Sequence, residues 1–255
     1  MNKIYNLDLM SDNVRDALQF TGKVGMIDGI TWDDYFARGN ERWRYRQFAK
    51  LLRHNIFIPH KNRHANDVYV AGQAGLKWLC DHQYVAVAPP PVGLIDHDLF
   101  VGKFLYSLKK SNVITSWAVD RELRKFNLGK KFFTQNSMDK KYPDAVMNLL
   151  VDQNENSIAI EYEKERKSYA RYRSILLNYA QASNYFMILY ILRDWNLKLV
   201  IEKCMKDLGL YELYDRLAFV KESDWARKLA YAKIYLKDNS FYLNDFVQKK
   251  TNQAA

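Results

Sequence analysis

Three acidic residues stand at the ends of two strands that the sequence predicts to be neighbours. Asp144 opens the predicted strand Ala145–Val151, and Glu161 and Glu163 end the predicted strand Ile158–Glu163. The polar turn between these strands is short, so we expect them to pair antiparallel, and side chains two apart in a strand share a face. The three carboxylates can therefore converge, and they repel one another unless a cation or a proton lies between them. Such oxygen ligands suit Mg²⁺ or Mn²⁺, which can polarise a phosphodiester and help make hydroxide from water.

These acids could also belong to a solvated, charged surface, because residues Glu163–Lys167 alternate in charge. Glu161 favours the metal site over this alternative. It follows Ile158–Ile160 on a strand whose neighbours are expected to be buried, and an unpaired charge is costly there. The sequence thus predicts a divalent-metal centre at one edge of a sheet.

The strands that carry these acids belong to an α/β region that follows three consecutive prolines, Pro89–Pro91. Prolines stop helices and central strands, so we expect two domains with the limits 1–88 and 94–255. Residues 152–157 are predicted to form the polar turn between the acidic strands. Periodicity predicts a central mixed sheet with helices, in the order helix Asp98–Lys110, strand Val113–Val119, strands 145–151 and 158–163, helix Ser168–Ala182, strand 185–192, strand Leu197–Ile201 and a helix from Glu202.

The region before the prolines has mostly helical periodicity and closes with a hairpin. Its predicted elements are a helix over 11–24, a short helix Trp32–Ala37, a helix Glu41–Arg53, strands Ile56–Ile58 and Val68–Val70, and a helix Gln73–Leu79. We expect Trp43, Phe48, Leu51 and Leu52 on one apolar face of the third helix. This order of elements is typical of a winged helix-turn-helix domain.

The charges of this region lie where a winged helix contacts DNA. From Arg38 to Arg63 there are eight basic residues and one acid, Glu41. A helix in the major groove needs flanking cations for affinity and a few side chains for the base edges. The candidates for contacts in the major groove are Arg42, Arg44, Arg46 and Gln47. The candidates for phosphate contacts at the hairpin tip are Lys61 and Arg63. The alternative is a winged helix that binds protein and has a solvated basic face.

Composition agrees with a nucleic-acid partner. Lys and Arg number 39 against 29 for Asp and Glu, a net charge of +10 that favours nucleic acid or an anionic surface. The two cysteines, Cys80 and Cys204, lack the spacing of a disulfide framework or a zinc site, so we expect reduced thiols and a cytoplasmic protein. The longest apolar run, Tyr185–Leu192, is too short for a membrane helix, so no membrane insertion is expected.

At the acidic residues the sequence resembles the PD-(D/E)xK nuclease superfamily, which has the restriction-endonuclease-like fold. Pro143-Asp144 matches the PD, and Glu161-Tyr162-Glu163 matches the ExE variant, with glutamate at the usual lysine position. A winged helix followed by this α/β nuclease core, with Glu122 on the preceding helix, is similar to the MobC-type plasmid relaxases and the related replication-relaxation proteins. The resemblance covers nearly the full chain, and the order of its short motifs carries it.

The resemblance implies a role for each matching acid. Asp144 and Glu161 bind the catalytic metal, Mg²⁺ or Mn²⁺. Glu163 is a further ligand or the base that positions water. Glu122 matches the acid contributed ahead of the core, and its alternative is an ordinary salt-bridged helix residue.

Basic residues after the ExE motif are candidates for contacts with phosphate. Lys167 is preferred over Lys164 near the scissile phosphate, because strand alternation directs Lys164 away from the face of the glutamates. The same alternation directs Tyr162 to the other face, where a structural role is expected. Arg171 and Arg173 on the next helix are candidates for a phosphate clamp or for solvated surface.

The implied function is a plasmid mobilisation relaxase, a metal-dependent endonuclease that nicks one strand at an origin of transfer. Its partners would be a specific site in double-stranded plasmid DNA, the nicked single strand, and accessory mobilisation or coupling proteins. The chain has no HxH pair, which argues against the histidine-triad chemistry of the commoner relaxases. Two alternatives stay open: a non-catalytic DNA-binding regulator of plasmid replication or transfer, and a restriction or transposition endonuclease that cuts both strands.

Overall fold

The structure is a computed structural model, and it describes residues 11–60, 67–126, 142–151 and 153–248. The chain forms two compact units, Met1–Lys103 and Phe104–Ala255. The division between them falls within the helix Ile95–Lys110, whereas the predicted domain limits, 1–88 and 94–255, place it at the prolines. The prolines themselves lie in a segment without helix or strand.

The first unit combines helices with a small antiparallel sheet. Its elements in chain order are α1 (Asp12–Val24), β1 (Ile27–Asp28), α2 (Gly29–Thr31), a π-helical turn (Trp32–Phe36), α3 (Glu41–Arg53), β2 (Phe57–Pro59), β3 (Val68–Ala71) and α4 (Gln73–Asp81). The strands pair antiparallel in the order β1-β3-β2. The predicted helices and hairpin are confirmed, with the helix over Trp32–Ala37 present as the π-helical turn, and the sequence did not predict β1 or α2.

Helix α3 is fixed at its start by a cap and further along by one aromatic ring. The Asn40 side chain accepts a hydrogen bond at 2.9 Å from the backbone N–H of Trp43, which has no partner within the helix. The ring of Phe48 lies 5.2 Å from that of Trp32 and 4.6 Å from that of Tyr69, between centroids. Helix α3 and the hairpin therefore share one aromatic core.

The prediction for Trp43 is wrong. Phe48 and Leu51 are buried, but Trp43 is 55% exposed. Five residues along an α-helix correspond to a rotation of about 140°, so Trp43 cannot share the face of Phe48. Trp43 is presented beside the arginines of α3 instead.

The second unit is built on one large mixed sheet. Beginning with the helix that spans the division, the elements are α5 (Ile95–Lys110), β4 (Ser116–Val119), α6 (Asp120–Lys125), β5 (Ala145–Val151), β6 (Asn154–Glu163), α7 (Tyr169–Gln181), β7 (Met187–Leu192), α8 (Asn196–Asp207), β8 (Leu217–Lys221), α9 (Glu222–Lys228), β9 (Ile234–Leu236), β10 (Asn239–Phe241) and α10 (Leu243–Gln248). The seven strands run in the order β10-β9-β8-β7-β6-β5-β4. Strands β6, β7 and β8 are parallel and the other pairs antiparallel, which confirms the mixed sheet. None of the helices within the described ranges is long and apolar enough to cross a membrane.

Two local predictions in this unit are wrong. The segment Leu197–Ile201 was expected as a strand, but it lies inside α8. The segment is helical because Leu197, Ile201 and Cys204 are spaced four and three residues apart and bury one face of the helix. Residues 154–157 were expected in a turn, and they extend β6 instead.

Helices α7 and α8 cover the sheet face on which the two glutamates of β6 lie. Tyr172 and Tyr179 of α7, Ile201 of α8, Ala159 of β6 and Tyr190 of β7 belong to one buried cluster. Because side chains alternate along a strand, the glutamates at the end of β6 share the face of Ala159. The candidate site therefore lies between the sheet and a layer of helices.

Candidate functional site

The register of the sheet brings the predicted acids to one face. In the antiparallel pair β5–β6, Ala145 lies opposite Ile160, so Asp144 continues the register toward Glu161. In the parallel pair β6–β7, Glu161 is the partner of Tyr190. Residues opposite one another in a sheet point to the same side. Glu161 and Tyr190 therefore lie side by side on one face, and Asp144, which directly precedes β5, is anchored next to Glu161 through the backbone N–H of Tyr162.

The two glutamates of β6 are almost wholly removed from solvent. Glu161 is 0% exposed and Glu163 is 1% exposed, while Asp144 is half-buried. An ionised carboxylate at such depth requires hydrogen bonds or a compensating charge. The solvated-surface alternative for Glu161 and Glu163 is therefore wrong.

Each of the three carboxylates has an identified partner. Asp144 Oδ2 accepts a hydrogen bond at 2.8 Å from the backbone N–H of Tyr162. Glu161 accepts a hydrogen bond from the hydroxyl of Tyr179. Glu163 forms an ion pair with Lys167, whose side chain remains 23% exposed. Lys167 therefore lies beside Glu163, and its role near the scissile phosphate stays a prediction.

A buried phenol faces this cluster without a partner of its own. The hydroxyl of Tyr190 forms no hydrogen bond with any residue that the structure describes. Burial raises the pKa of Tyr190 well above its usual value, and the charges of Glu161, Glu163 and Asp144 raise it further. Burial followed by the charge of Glu161 likewise raises the pKa of Tyr179. Both phenols therefore stay neutral and able to donate at ordinary pH.

Helix α6 contributes a cation and a buried acid beside Asp144. Arg124 Nε donates to both carboxylate oxygens of Asp120 at 2.8 Å, and its guanidinium lies 4.9 Å from the ring centroid of Tyr142. The hydrogen bond with Asp120 is the main cause of the raised pKa of Arg124, and Asp144 contributes to it. Glu122 is 6% exposed on the same helix, and both interpretations of it, the acid contributed ahead of the core and a salt-bridged helix residue, stay predictions.

Sequence reasoning missed three residues of this site, namely Arg124, Tyr179 and Tyr190. The position of Tyr179 on its helix indicates only a core residue. Tyr190 sits in an apolar run, and only the pairing of β6 with β7 places it beside Glu161. The placement of Tyr162 is confirmed, because its hydroxyl donates to Glu222 at 2.9 Å, away from the face of Glu161.

The donor chemistry suits a hard divalent cation, but the geometry is less complete than predicted. Carboxylate oxygens on a shared face are the ligands that Mg²⁺ and Mn²⁺ prefer. Within the described part of the chain, however, no group of three or more His, Cys, Asp or Glu side chains is arranged to hold a metal ion. The three-carboxylate set therefore stays a prediction. Asp144 and Glu161, next to one another, are the pair that the sheet register supports.

The basic helix of the first unit presents part of its predicted surface. Arg42 and Arg46 are exposed. Arg44 is half-buried, with Nη1 donating to the backbone carbonyl of Asp33 at 3.4 Å, and Gln47 is half-buried with its amide oxygen buried and without a hydrogen bond from the described residues. Neither side chain is as free to enter a groove as predicted.

Two exposed aromatic side chains stand among the arginines of α3. Tyr45 is 74% exposed and Trp43 is 55% exposed. The predicted phosphate contacts at the hairpin tip, Lys61 and Arg63, lie outside the described residues. In the second unit, Arg171 and Arg173 are exposed on α7. Their exposure is compatible with both predictions for them, a phosphate clamp and a solvated surface.

The chain has no match among protein-family models, curated proteins or solved structures. Function must therefore be inferred from the chemistry of the site.

Proposed function

We propose that the chain is a divalent-metal-dependent DNA endonuclease that nicks one strand of duplex DNA. The observation that supports this most is the position of Glu161, which is fully buried near the end of β6, beside the strand that Asp144 precedes. Burying a carboxylate is costly, and groups held in such surroundings are enriched at functional sites. The proposal assigns the second unit a restriction-endonuclease-like core and the chain to the MobC-type relaxases, acting at an origin of plasmid transfer in the cytoplasm.

The proposed site divides the work among four side chains. Asp144 and Glu161 would hold Mg²⁺ or Mn²⁺, which supplies a Lewis acid for the phosphodiester and an activated water when bound. Tyr179 fixes the orientation of Glu161 through its hydrogen bond. Lys167 forms an ion pair with Glu163, which fixes the position of the carboxylate proposed to orient the attacking water.

The first unit is proposed to be a winged helix-turn-helix domain that binds the duplex. Its elements occur in that order, and α3 with the β2–β3 hairpin shares one core. Arg42 and Arg46 are exposed on the helix that would enter the major groove. Both provide charge for phosphates or bidentate contacts to guanine.

A second candidate function is a DNA-binding regulator with an inactive nuclease-like unit. The ion pair of Lys167 with Glu163 favours it, because that contact engages the third predicted metal ligand. The first candidate is preferred because an inactive unit has no need for a fully buried charge at Glu161.

The decisive experiment is incubation of supercoiled plasmid carrying the cognate site with Mg²⁺ or Mn²⁺. Open circles support the nickase, linear molecules support an endonuclease that cuts both strands, and unchanged supercoils support the regulator. The Glu161→Gln variant is expected to abolish nicking while binding to the duplex survives. Glu165→Gln provides a matched control, since Glu165 is exposed two residues after Glu163 and should cut like the wild type.

A further inference from the structure

A basic cavity in the second unit has the composition of a site for single-stranded nucleic acid. The cavity has a volume of about 820 Å³ and lies along α8, next to the 3₁₀ turn Tyr211–Asp215 and the turn between β9 and β10. We call it the α8 groove and define it by the residues Lys198, Lys203, Lys206, Tyr211, Tyr214 and Lys237. Leu199, Glu202 and Asp238 also line it, so its four lysines face two carboxylates. Its volume is far larger than one inorganic anion requires.

The α8 groove follows from the amphipathic pattern of its helix. Leu197, Ile201 and Cys204 bury one face of α8. The lysines at positions 203 and 206 are three apart, so they lie together on the opposite, exposed side. Lys203 and Lys206 are about 4.5 Å apart along the helix axis, a separation that suits neighbouring phosphates of one strand.

Two of the lysines are held by partners and shape the wall. Lys198 lies 3.5 Å from Glu202, and its ammonium is 5.6 Å from the ring centroid of Trp195. Lys237 forms an ion pair with Asp215. These contacts fix side chains that would otherwise be mobile, and they leave little of the two charges for a ligand.

The other two lysines carry the positive charge of the groove. Lys203 and Lys206 are exposed, and neither forms an ion pair with any residue in the described ranges. Lys206 also lies in the last turn of α8, where a cation complements the helix dipole. The helix dipole explains a lysine at position 206, but it does not explain Lys203 on the same side of the helix.

Aromatic rings complete the groove. Tyr211 is 67% exposed at its edge. Tyr214 is half-buried, and its hydroxyl donates to the backbone carbonyl of Glu202 at 2.9 Å, which fixes its ring beside the helix. Cations along one wall and exposed aromatic rings beside them are the two components of single-strand binding sites, because bases stack on rings while phosphates meet the cations.

We propose that the α8 groove binds a segment of single-stranded DNA, with Lys203 and Lys206 on the phosphates and Tyr211 stacked on a base. A duplex fits this groove less well, since its bases expose no faces for stacking. The proposal deepens the proposed function, because the strand released by nicking is the single-stranded partner that the reaction supplies.

The test is binding of a labelled oligothymidylate to the full chain without divalent metal. Lys203→Glu with Lys206→Glu should weaken binding about tenfold or more in about 50 mM salt, and should reduce the salt slope by about 1.4, or about 0.7 for each lost phosphate contact. Tyr211→Ala should weaken binding about fivefold or more, and Tyr211→Phe should retain it. Controls are Lys109→Glu with Lys110→Glu, the same charge change at exposed positions of α5, and Tyr231→Ala, at a tyrosine that is 61% exposed.

The controls distinguish binding in the α8 groove from binding elsewhere on the chain. Equal losses in the two double-lysine variants would mean that net charge alone matters and would overturn the proposal. Displacement of the oligonucleotide by equimolar pyrophosphate would overturn it in favour of a small-anion site. The Arg42→Glu with Arg46→Glu variant should keep oligothymidylate binding, and loss of that binding would move the site to α3.

Failure of the proposed nuclease can be told apart from failure of the groove. Oligothymidylate binding without metal involves no cleavage, so it survives if the wild type never nicks a plasmid. Conversely, nicking that Glu161→Gln abolishes, together with unchanged oligonucleotide binding in Lys203→Glu with Lys206→Glu, would retain the nuclease and discard the groove.

Discussion

The ion pair between Lys167 and Glu163 should make a large contribution to the stability of the second unit. Substitution Lys167→Met keeps the length of the side chain and removes its charge from a carboxylate that is 1% exposed. Removing one partner of a buried pair typically costs about 3–5 kcal/mol. Because the Lys167 side chain is 23% exposed, water can reach the pair, and we expect the low end, about 3 kcal/mol. In a chain of this size this loss lowers Tm by about 6–12 °C.

Thermal and urea unfolding of Lys167→Met and of the matched variant Lys164→Met measure this loss. Lys164 follows Glu163 directly, just beyond the end of β6, and forms no ion pair with any described residue, so its substitution should cost about 1 kcal/mol or less. Glu163→Gln combined with Lys167→Met removes both charges and should recover most of the loss. Equal unfolding free energies for the two single variants would refute the assignment of Lys167 as the counter-ion of Glu163.

Further predictions concern the phenols of the site and the aromatic residues of α3. Tyr190→Phe removes a buried hydroxyl without a described partner and should raise the free energy of unfolding by about 1 kcal/mol. Tyr179→Phe should lower the free energy of unfolding, because Glu161 loses a hydrogen-bond donor. Chemical denaturation measures both changes. The pKa values of both phenols are higher in the folded state than in the unfolded state, so both phenols stabilise the folded state fully below about pH 10. Above that pH the free energy of unfolding should fall by about 1.4 kcal/mol per pH unit for each phenol. Either Phe variant should therefore show a shallower alkaline loss than wild type, as measured by unfolding between about pH 9 and pH 11. Phe48→Ala should destabilise the first unit by about 3–5 kcal/mol, while Trp43→Ala should leave its melting within about 0.5 kcal/mol and weaken duplex binding in a fluorescence titration.

Local patterns were sufficient to predict most of the first unit. Helix α3 was predicted with its observed ends, because apolar periodicity coincides there with the capping side chain of Asn40. The short strand β1 was missed because its two residues carry no period of their own, and their strand geometry comes from pairing with β3. Trp43 was misplaced by residue type alone, although its angular position on the helix was available from the sequence.

The second unit shows where local patterns fail. The run Leu197–Ile201 looks like a strand over five residues, and only Cys204 and Met205 complete the helical face. The acids on β5 and β6 were predictable, because a hairpin sets its register locally. The place of Tyr190 beside them was not predictable, because the pairing of β6 with the parallel strand β7 depends on contacts between distant parts of the chain.

The described partners of the three acids differ in charge. Lys167 offers Glu163 a full positive charge, whereas Tyr179 offers Glu161 a hydrogen bond from a neutral phenol. Asp144, next to Glu161, receives a backbone N–H and the more distant charge of Arg124. A divalent ion held by Asp144 and Glu161, as proposed above, would add positive charge beside these two carboxylates. Mg²⁺ or Mn²⁺ should accordingly raise the Tm of the wild type, and Asp144→Asn should remove this increase while Glu165→Gln retains it.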